Sequence, residues 1–379
     1  MLAACGIAAA FTSVPLSERT CLVLTKKFGK NVKLLLLVFM FAAAIISAFI
    51  SNIPTTIIFV AMSEQFLSAY ENPRDKEWTG KAFMIGIPIS TFLGGLMTPI
   101  GSSINPLCFN QLQAATGLNF TFIQWMAIGA PFGIIMLPIA WWILCKVYKP
   151  VEIGRDKIDN FISDVEKTIP RKMGKKEKTV LGILAVMLCL WIASSWVKAI
   201  DIYVVAFIGC CVFMLPQLDI VTWDTFMKSA SWDVILITCS VISLGTALVN
   251  NGVSTWLVNT VFPDTIAVPF VGFVALLSLF IFLLMIILPV APSIVTLLSV
   301  PIVTIATAQG FSVQLLFAVL VICVGQCYLL PIDAIPLLAY SKGYFKMSEM
   351  PKATAPIQIC AIIVITIWVP IAGKLLGMI

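Results

Sequence analysis

Solid apolar runs alternate with short polar interruptions along this chain, and the alternation predicts its architecture. Runs without Asp, Glu, Lys or Arg cover residues 34–63, 82–145, 179–197, 234–263 and 265–332. A helix needs about 20 apolar residues to cross a bilayer, so these runs hold several membrane spans. Transmembrane barrels instead show alternating segments of about ten residues. The pattern therefore predicts an all-α, polytopic integral membrane protein.

Composition and charge refine this prediction. Of the 379 residues, 60% are hydrophobic and 11% are charged, which excludes a soluble domain. The net charge of +6 does not indicate nucleic-acid binding, because residues 146–178 alone hold ten Lys or Arg against six acids. The positive-inside rule predicts that loop 146–178 is cytoplasmic. We expect the protein to lie in a prokaryotic plasma (inner) membrane. The chain has no His and no CxxC pair, so we expect no cofactor and no metal site other than one for Na⁺.

Two polar segments interrupt the apolar runs of the first half. As one helix, 34–63 would be about 45 Å long, whereas the hydrocarbon core is about 30 Å thick, and the run contains SNIPTT at 51–56. The second segment is GGLMTPIGSSINPL at 94–107. Unwound backbone at bilayer depth persists only where it lines a cavity or is buried in protein. The carbonyls of unwound backbone suit Na⁺, and the N–H groups at the starts of half-helices suit an anion. For the first segment alone, the alternative is a proline kink whose freed backbone groups are satisfied by neighbouring hydroxyls.

Three sequence landmarks recur in the same order, which predicts an internal repeat. AFTSVPLS (10–17) corresponds to ALVNNGVS (247–254), SNIPTTIIFVA (51–61) to APSIVTLLSVP (291–301), and TPIGSSINPL (98–107) to LLPIDAIPLL (329–338). We predict two inverted repeats with broken helices and re-entrant hairpins, as in ion transporters. The first covers 1–148, the second covers 179–379, and 149–178 form a basic linker. The first copy is expected to be shortened at its N-terminus, with residues 1–16 forming the second arm of a re-entrant hairpin.

The interruptions carry a family resemblance. The chain resembles the bacterial-type divalent anion:sodium symporter (DASS) family, whose members transport dicarboxylates, citrate or sulfate. The family's first signature is Ser-Asn-Thr, followed further on by Gly-Thr/Ser-Pro-Pro-Asn; here SNI at 51–53 and IGSSIN at 100–105 take those places. MGKKEK at 173–178, WDV at 232–234 and KGYFKMSEM at 342–350 extend the resemblance over nearly the whole chain.

The resemblance implies specific site residues. Ser51, Asn52 and Gly101 would bind sodium. The substrate anion would be contacted by Ser51, Asn52, Thr55, Ser102, Asn105 and Ser293. The family also implies a homodimer in the lipid bilayer, with a scaffold and a mobile transport domain that moves like an elevator.

The second half departs from the family pattern. APS stands at 291–293 in place of a second Ser-Asn-Thr, and DAIPL stands at 333–337. Asp333 is the only charged residue from 265 to 341, and an ionised Asp at mid-membrane costs at least ~2.5–3.5 kcal/mol. We expect Asp333 to occupy the second cation position. Alternatively, it is protonated and carries a proton, or it caps the helix that follows.

These observations predict a secondary active transporter that couples a cation, Na⁺, to symport of a divalent anion such as a C4-dicarboxylate, citrate or sulfate. The alternative is a proton-coupled transporter or exchanger of the same architecture that uses Asp333. An intramembrane aspartyl protease using Asp233 and Asp333 is disfavoured because the chain lacks a GxGD motif, so no enzyme is expected. A transport-inactive remnant is a further alternative.

Overall fold

The computed structural model describes residues 2–28, 31–170, 172–197, 199–229, 268–288 and 290–378, with isolated positions between 232 and 252. Asp233 and most of the 247–254 landmark lie outside the described residues. Within the described part, all regular structure is helical, which confirms the predicted all-α fold. The helices are α1 (Leu2–Thr12), α2 (Leu16–Phe28), α3 (Val32–Ser47), α4 (Asn52–Leu67), α5 (Pro73–Met97), α6 (Ile104–Thr116), α7 (Phe122–Tyr148), α8 (Arg155–Thr168), α9 (Lys175–Ala193), α10 (Ile202–Phe213), α11 (Trp223–Ser229), α12 (Phe270–Ile287), α13 (Ala291–Gln309), α14 (Val313–Val324), α15 (Ala334–Tyr340) and α16 (Met350–Leu375).

Helices α3 and α4 form a helical hairpin joined at residues 48–51. Phe39 and Phe59, each about two turns from the joint, meet edge to face with ring centroids 6.1 Å apart. Positions so far from the joint can touch only because the two arms run antiparallel. Each arm has 16 residues and is about 24 Å long, short of the roughly 30 Å hydrocarbon core. The hairpin therefore enters the membrane and returns to the same side.

Pro54 lies within the first turn of α4, whose N-cap is Ser51. N–H groups in the first turn of a helix have no intrahelical acceptor, so proline sacrifices no hydrogen bond there. The prediction of a break in this segment is confirmed. The chain, however, reverses direction at 48–51 instead of continuing across the bilayer as a kinked span.

Helix α5 is the central helix of the first half. Every residue from Thr79 to Met97 is buried, because α5 packs against α3, α4 and α7. The helix ends at Met97, and residues 98–103 follow before α6 begins at Ile104. The second predicted interruption is therefore also present.

The second half repeats this order of elements. Phe270 and Phe273 at the start of α12 contact Phe311, just after α13, with ring centroids 5.4 and 5.5 Å apart. Helices α12 and α13 are therefore antiparallel arms of a second hairpin, joined at 288–290. Helix α14 follows, buried from Leu315 to Val324, and the non-helical residues 325–333 lead into the short α15.

The long helices that end the two halves, α7 and α16, run antiparallel. The Tyr148 hydroxyl at the end of α7 donates to the Glu349 carbonyl just before α16, at 2.7 Å. Trp368 Nε1, late in α16, donates to the Ile128 carbonyl early in α7, at 2.8 Å. The two halves therefore point in opposite directions.

The two hairpins also open toward opposite ends of α7. Trp141 Nε1, late in α7, donates to the carbonyl of Lys33 in the first hairpin, at 2.7 Å. Gln314 Nε2, beside the opening of the second hairpin, donates to the carbonyl of Asn119, just before α7, at 2.9 Å. The hairpins thus enter from opposite sides, as predicted for inverted repeats.

Within the described residues, five helices are long and apolar enough to cross a membrane, namely α5, α7, α12, α13 and α16. The chain is therefore an integral membrane protein. The repeat boundaries at 1–148, 149–178 and 179–379 stay predictions, as does the hairpin role of residues 1–16.

Candidate functional site

The tip of the first hairpin lies directly against the end of α5. The Thr98 hydroxyl donates to the Ala48 carbonyl, and the Ser47 hydroxyl donates to the Thr91 carbonyl at 2.8 Å. These bonds bring the two predicted interruptions of the first half together. We call residues 47–52 and 91–105 the first-half site.

Asn52 links the two interruptions. Its side chain is 6% exposed. In the amide orientation that matches its neighbours, Nδ2 lies 2.7 Å from Ser47 Oγ, 2.9 Å from the Thr91 carbonyl and 3.2 Å from the Gly101 carbonyl. This orientation is assigned from the hydrogen-bond network. One side chain thus contacts both α5 and the segment between α5 and α6.

Glycines allow the backbones to approach this closely. A Cβ on Gly101 would lie 2.8 Å from the Gly95 carbonyl oxygen and 2.9 Å from that of Ala48, and one on Gly95 would lie 2.2 Å from the Asn52 side chain. Larger residues at either position would separate the hairpin tip from α5. The carbonyl oxygens of Ala48 and Gly95 consequently converge on Gly101.

Asn105 supplies the most informative atom of the site. The residue is fully buried, and its Nδ2 donates to the carbonyls of Gly95 and Thr98, both at 2.8 Å. Its Oδ1 is the single buried side-chain oxygen or nitrogen without a hydrogen-bond partner in the described part of the chain. An unsatisfied buried acceptor costs about 1–3 kcal/mol. Transporters bind Na⁺ with unwound backbone carbonyls and the C-terminal ends of half-helices. Here the Thr98 carbonyl is of the first kind and the Gly95 carbonyl, in the last turn of α5, is of the second.

The remaining predicted residues of the first half surround this cluster. Ser51 is half-buried and has an unusual backbone φ of 156°. Ser102 is 7% exposed, and its Oγ accepts from the Ile104 N–H at 3.4 Å. Thr55 is fully buried and donates its hydroxyl to the Ser51 carbonyl at 2.8 Å, so it holds the backbone of the tip. The roles of these residues toward ion and substrate stay predictions.

Sequence reasoning missed three members of the site, Ser47, Thr91 and Thr98. All three are buried, and Thr91 also shares a 2.9 Å hydroxyl contact with Thr56. The sequence signal that could have identified them is a Ser or Thr within an otherwise apolar run. The same signal occurs at Ser63 and Ser90, whose hydroxyls only bond the carbonyl four residues earlier in their own helix, so it is not specific.

The second-half site, residues 285–288, 290–293 and 325–333, has the same construction but different chemistry. The tip end of α12 lies against the segment after α14, and a cleft forms between them. Seven of the eight residues that border this cleft have apolar side chains, and the eighth is Gln358 of α16; the seven are Phe282, Met285, Ile286, Cys327, Leu329, Leu330 and Ile332.

Protein groups bond the buried side-chain polar atoms of the described second-half site. The Tyr328 hydroxyl donates to Gln326 Oε1 at 2.8 Å, and Gln326 Nε2 donates to the Ile322 carbonyl at 2.8 Å. The Thr354 hydroxyl of α16 lies 3.1 Å from the Leu329 carbonyl, and Gln358 Nε2 lies 3.5 Å from the Gln326 carbonyl. No orphaned buried oxygen marks the described part of this site.

Asp333 is the N-cap of α15, where its Oδ1 accepts from the Ile335 N–H at 3.1 Å. The capping alternative is therefore what the structure shows, and cation binding by Asp333 stays a prediction. Ser293 lies in the first turn of α13 and is half-buried. Its substrate role also stays a prediction.

Helix N-termini converge at the depth of the hairpin tips. Helices α4 and α6 begin within the first-half site, at Asn52 and Ile104, and α13 begins at Ala291. Helices α6 and α13 pack together, and both run from this depth toward the side of Asn119 and Gln314. Each helix N-terminus carries roughly half a positive charge. An anion can thus be attracted here although residues 82–145 contain no Lys or Arg.

Broken helices whose N-termini and carbonyls meet between two inverted hairpins are the architecture of ion-coupled transporters. The family model described as "Sodium:sulfate symporter transmembrane region" matches residues 1–379. The chain belongs to the sodium:sulfate symporter family. This confirms the DASS resemblance drawn from SNI and IGSSIN.

The chain is also similar to individual bacterial proteins. The chain is 24% identical over 268 residues to the sodium-dependent dicarboxylate transporter SdcS of Staphylococcus saprophyticus, covering 64% of this chain and 50% of that protein. It is 24% identical over 193 residues to a citrate/succinate antiporter of Escherichia coli K12, covering 51% and 39%. A membrane protein of Cupriavidus necator is 22% identical over 260 residues, covering 67% and 50%. The chain thus spans about half the length of SdcS.

Proposed function

We propose that this chain is a Na⁺-coupled symporter of a small anion. The observation that carries the proposal is the buried amide of Asn105, whose Nδ2 donates to the carbonyls of Gly95 and Thr98 and whose Oδ1 has no partner. A bound Na⁺ gives this oxygen a partner and uses the free lone pairs of the carbonyls. In the same cluster, Asn52 and Gly101 join the hairpin tip to the segment before α6.

The anion binds beside the cation, at the N-termini of α4, α6 and α13. A cation next to these N–H groups raises the affinity for an anion, and the anion raises the affinity for the cation by the same factor. This reciprocity is the basis of coupled transport. Ser51 and Ser102 add hydroxyl groups at the rim of the pocket.

Substrate candidates follow from the relatives. Their names specify dicarboxylate, citrate and succinate, and the family name specifies sulfate. We propose C4-dicarboxylates, citrate and sulfate as the first compounds to test. Transport as a homodimer in the bacterial plasma membrane, with loop 146–178 in the cytoplasm, is part of the same proposal.

Uptake into proteoliposomes tests this function. We expect an inward Na⁺ gradient to accelerate uptake of a labelled anion from this set, and an equal K⁺ gradient to leave it unchanged. Uptake that ignores Na⁺ and follows a pH gradient would instead favour the proton-coupled alternative. The antiporter relative makes counterflow with internal succinate a useful additional arm.

Asn52→Ala tests the site within the same assay. The substitution removes the amide that bridges Ser47, Thr91 and Gly101, so we expect the Na⁺ concentration for half-maximal uptake to rise about tenfold, equivalent to about 1.4 kcal/mol. Asn110→Ala, at an exposed position of α6, is the matched control. An unchanged Na⁺ requirement in Asn52→Ala removes Asn52 from the cation site.

A further inference from the structure

We propose that an anionic phospholipid binds in a membrane-facing groove between α3 and α7, with its phosphate between Lys33 and Lys146. The inference concerns the membrane partner of the chain and is independent of the transported anion. Three features of the described residues support it: two lysines without an ion pair, an exposed tryptophan beside them, and exposed apolar side chains that continue the groove into the bilayer.

The groove forms because α3 begins beside the end of α7. Trp141 Nε1 donates to the Lys33 carbonyl at 2.7 Å, and the two helices pack together. Lys33 is exposed at the start of α3, and Lys146 is exposed near the end of α7. Lys146 follows Trp141 by a rise of only about 7.5 Å along the helix. Both lysines therefore lie at the same end of this helix pair.

The charges of both lysines are available to a ligand. No ion pair in the described part of the chain includes Lys33 or Lys146. The Glu152 carboxylate lies at the start of α3, where it accepts from the Val32 N–H at 2.9 Å. A phosphate between the two lysines supplies an anion to both, and such charge-assisted contacts are among the stronger hydrogen bonds.

Trp142 places this end of the groove at the depth of the lipid headgroups. The residue is 56% exposed, and the Lys146 ammonium lies 4.8 Å from the centroid of its ring. Tryptophan is enriched at membrane–water interfaces, because its ring is apolar while its N–H is polar. The attraction between the ammonium and the ring holds Lys146 at the depth where lipid phosphates lie.

Exposed apolar side chains continue the groove toward the middle of the bilayer. Ile134 and Ile135 of α7 are 54% and 40% exposed, and Ile45 of α3 is 53% exposed. Ile134 lies about 18 Å from Lys146 along α7, which is more than half of the roughly 30 Å hydrocarbon core. The acyl chains of a lipid can extend along these residues. A free phosphate ion would use only the two lysines, so the apolar part of the groove favours a lipid.

The two lysines favour an anionic lipid over a zwitterionic one. The headgroup of phosphatidylcholine carries its own cation, which the lysines repel, whereas phosphatidylglycerol has a phosphate and no cation. Each lysine near an anionic headgroup strengthens the attraction about fivefold. Two lysines therefore predict a preference for phosphatidylglycerol of roughly ten- to thirtyfold.

Native mass spectrometry of the detergent-solubilised chain tests the proposal. The probes are phosphatidylglycerol and phosphatidylcholine with identical acyl chains, each titrated over the same concentrations. We expect phosphatidylglycerol to bind at least about tenfold more tightly, and we expect replacement of both lysines, by Lys33→Gln and Lys146→Gln, to reduce this preference to about threefold or less. Lys374→Gln is the matched control, because it removes an exposed lysine at the end of α16, on the opposite side of the membrane. It should leave the preference unchanged.

Two further arms separate charge from packing and a lipid from a soluble anion. Replacement of both lysines by arginine, Lys33→Arg and Lys146→Arg, keeps the charges and should keep the preference. Soluble glycerol phosphate at millimolar concentration should not displace phosphatidylglycerol, and displacement would overturn the lipid as the occupant. Equal binding of the two lipids, a preference that survives both glutamine substitutions, or an equal loss in Lys374→Gln overturns the proposed site.

Discussion

The two halves have the same order of elements, yet the first-half site presents amides, hydroxyls and an unsatisfied oxygen, whereas residues with apolar side chains border most of the second-half cleft. In the first-half site, Asn105 Oδ1 lacks a partner. In the second-half site, Thr354 and Gln358 of α16 direct donors toward the carbonyls of Leu329 and Gln326 in the unwound segment. An unwound helix at bilayer depth can be stabilised either by a ligand or by the protein itself, and we propose that this chain uses a ligand in the first half and its own side chains in the second.

Among the substitutions that test this difference between the two sites, Gly95→Ala should have the largest effect on transport. In Gly95→Ala the new Cβ would lie 2.2 Å from the Asn52 side chain, so the hairpin tip must move away from α5. We expect Na⁺-driven uptake to fall to background, because the amide contacts of Asn52 depend on that approach. Gly182→Ala in α9, where a Cβ meets no atom within 4 Å, should transport normally. Normal uptake by Gly95→Ala would show that the close approach is not required.

Asn105→Ala should produce the next largest effect. It removes the orphaned oxygen and the two bonds to the carbonyls of Gly95 and Thr98. The loss of these interactions should cost about 1–3 kcal/mol of binding free energy. The Na⁺ concentration for half-maximal uptake should therefore rise about ten- to hundredfold. The exposed Gln113→Ala on the same helix is the control. A Na⁺ requirement within twofold of the original would exclude Asn105 Oδ1 as a ligand.

Tyr328→Phe should have the smallest effect on transport, and it tests the second-half site. The loss of the Tyr328 hydroxyl leaves Gln326 Oε1 buried without its donor, which should lower stability by about 1–3 kcal/mol. The Na⁺ dependence of uptake should stay within twofold. Thermal unfolding and Na⁺ titration measure the two quantities, with Tyr203→Phe as an exposed control. A shift in Na⁺ requirement as large as that of Asn105→Ala would mean that both halves bind the cation.

The sequence predicted the positions of the polar interruptions because Pro, Gly, Ser and Asn are rare in helices buried in a membrane. It could not distinguish a kinked span from a reversal at 48–51, since hydropathy is the same for both. The decisive contact, Phe39 on Phe59, joins apolar residues that have many possible partners.

The sequence predicted only some residues of the first-half site, because the others carry no local sequence pattern. Asn52, Gly101 and Asn105 stand in short motifs, whereas Ser47 and Thr91 are single hydroxyl residues within apolar helices. Their importance arises from the approach of α3 to α5, which no local pattern encodes. The cap formed by Asp333 was one of three alternatives, and only the helix that begins at Ala334 distinguished it.

The contact at Gly94 constrains how the protein can move. A Cβ there would lie 2.2 Å from the Ala44 carbonyl oxygen, so α3 and α5 touch backbone to backbone with no side chain between them that could change rotamer. Close-packed contacts of this kind shift between discrete arrangements and do not deform gradually. Access to the ion would then alternate by displacement of the hairpin and α5 together, as a single rigid piece, and not by the tip lifting away from its neighbour.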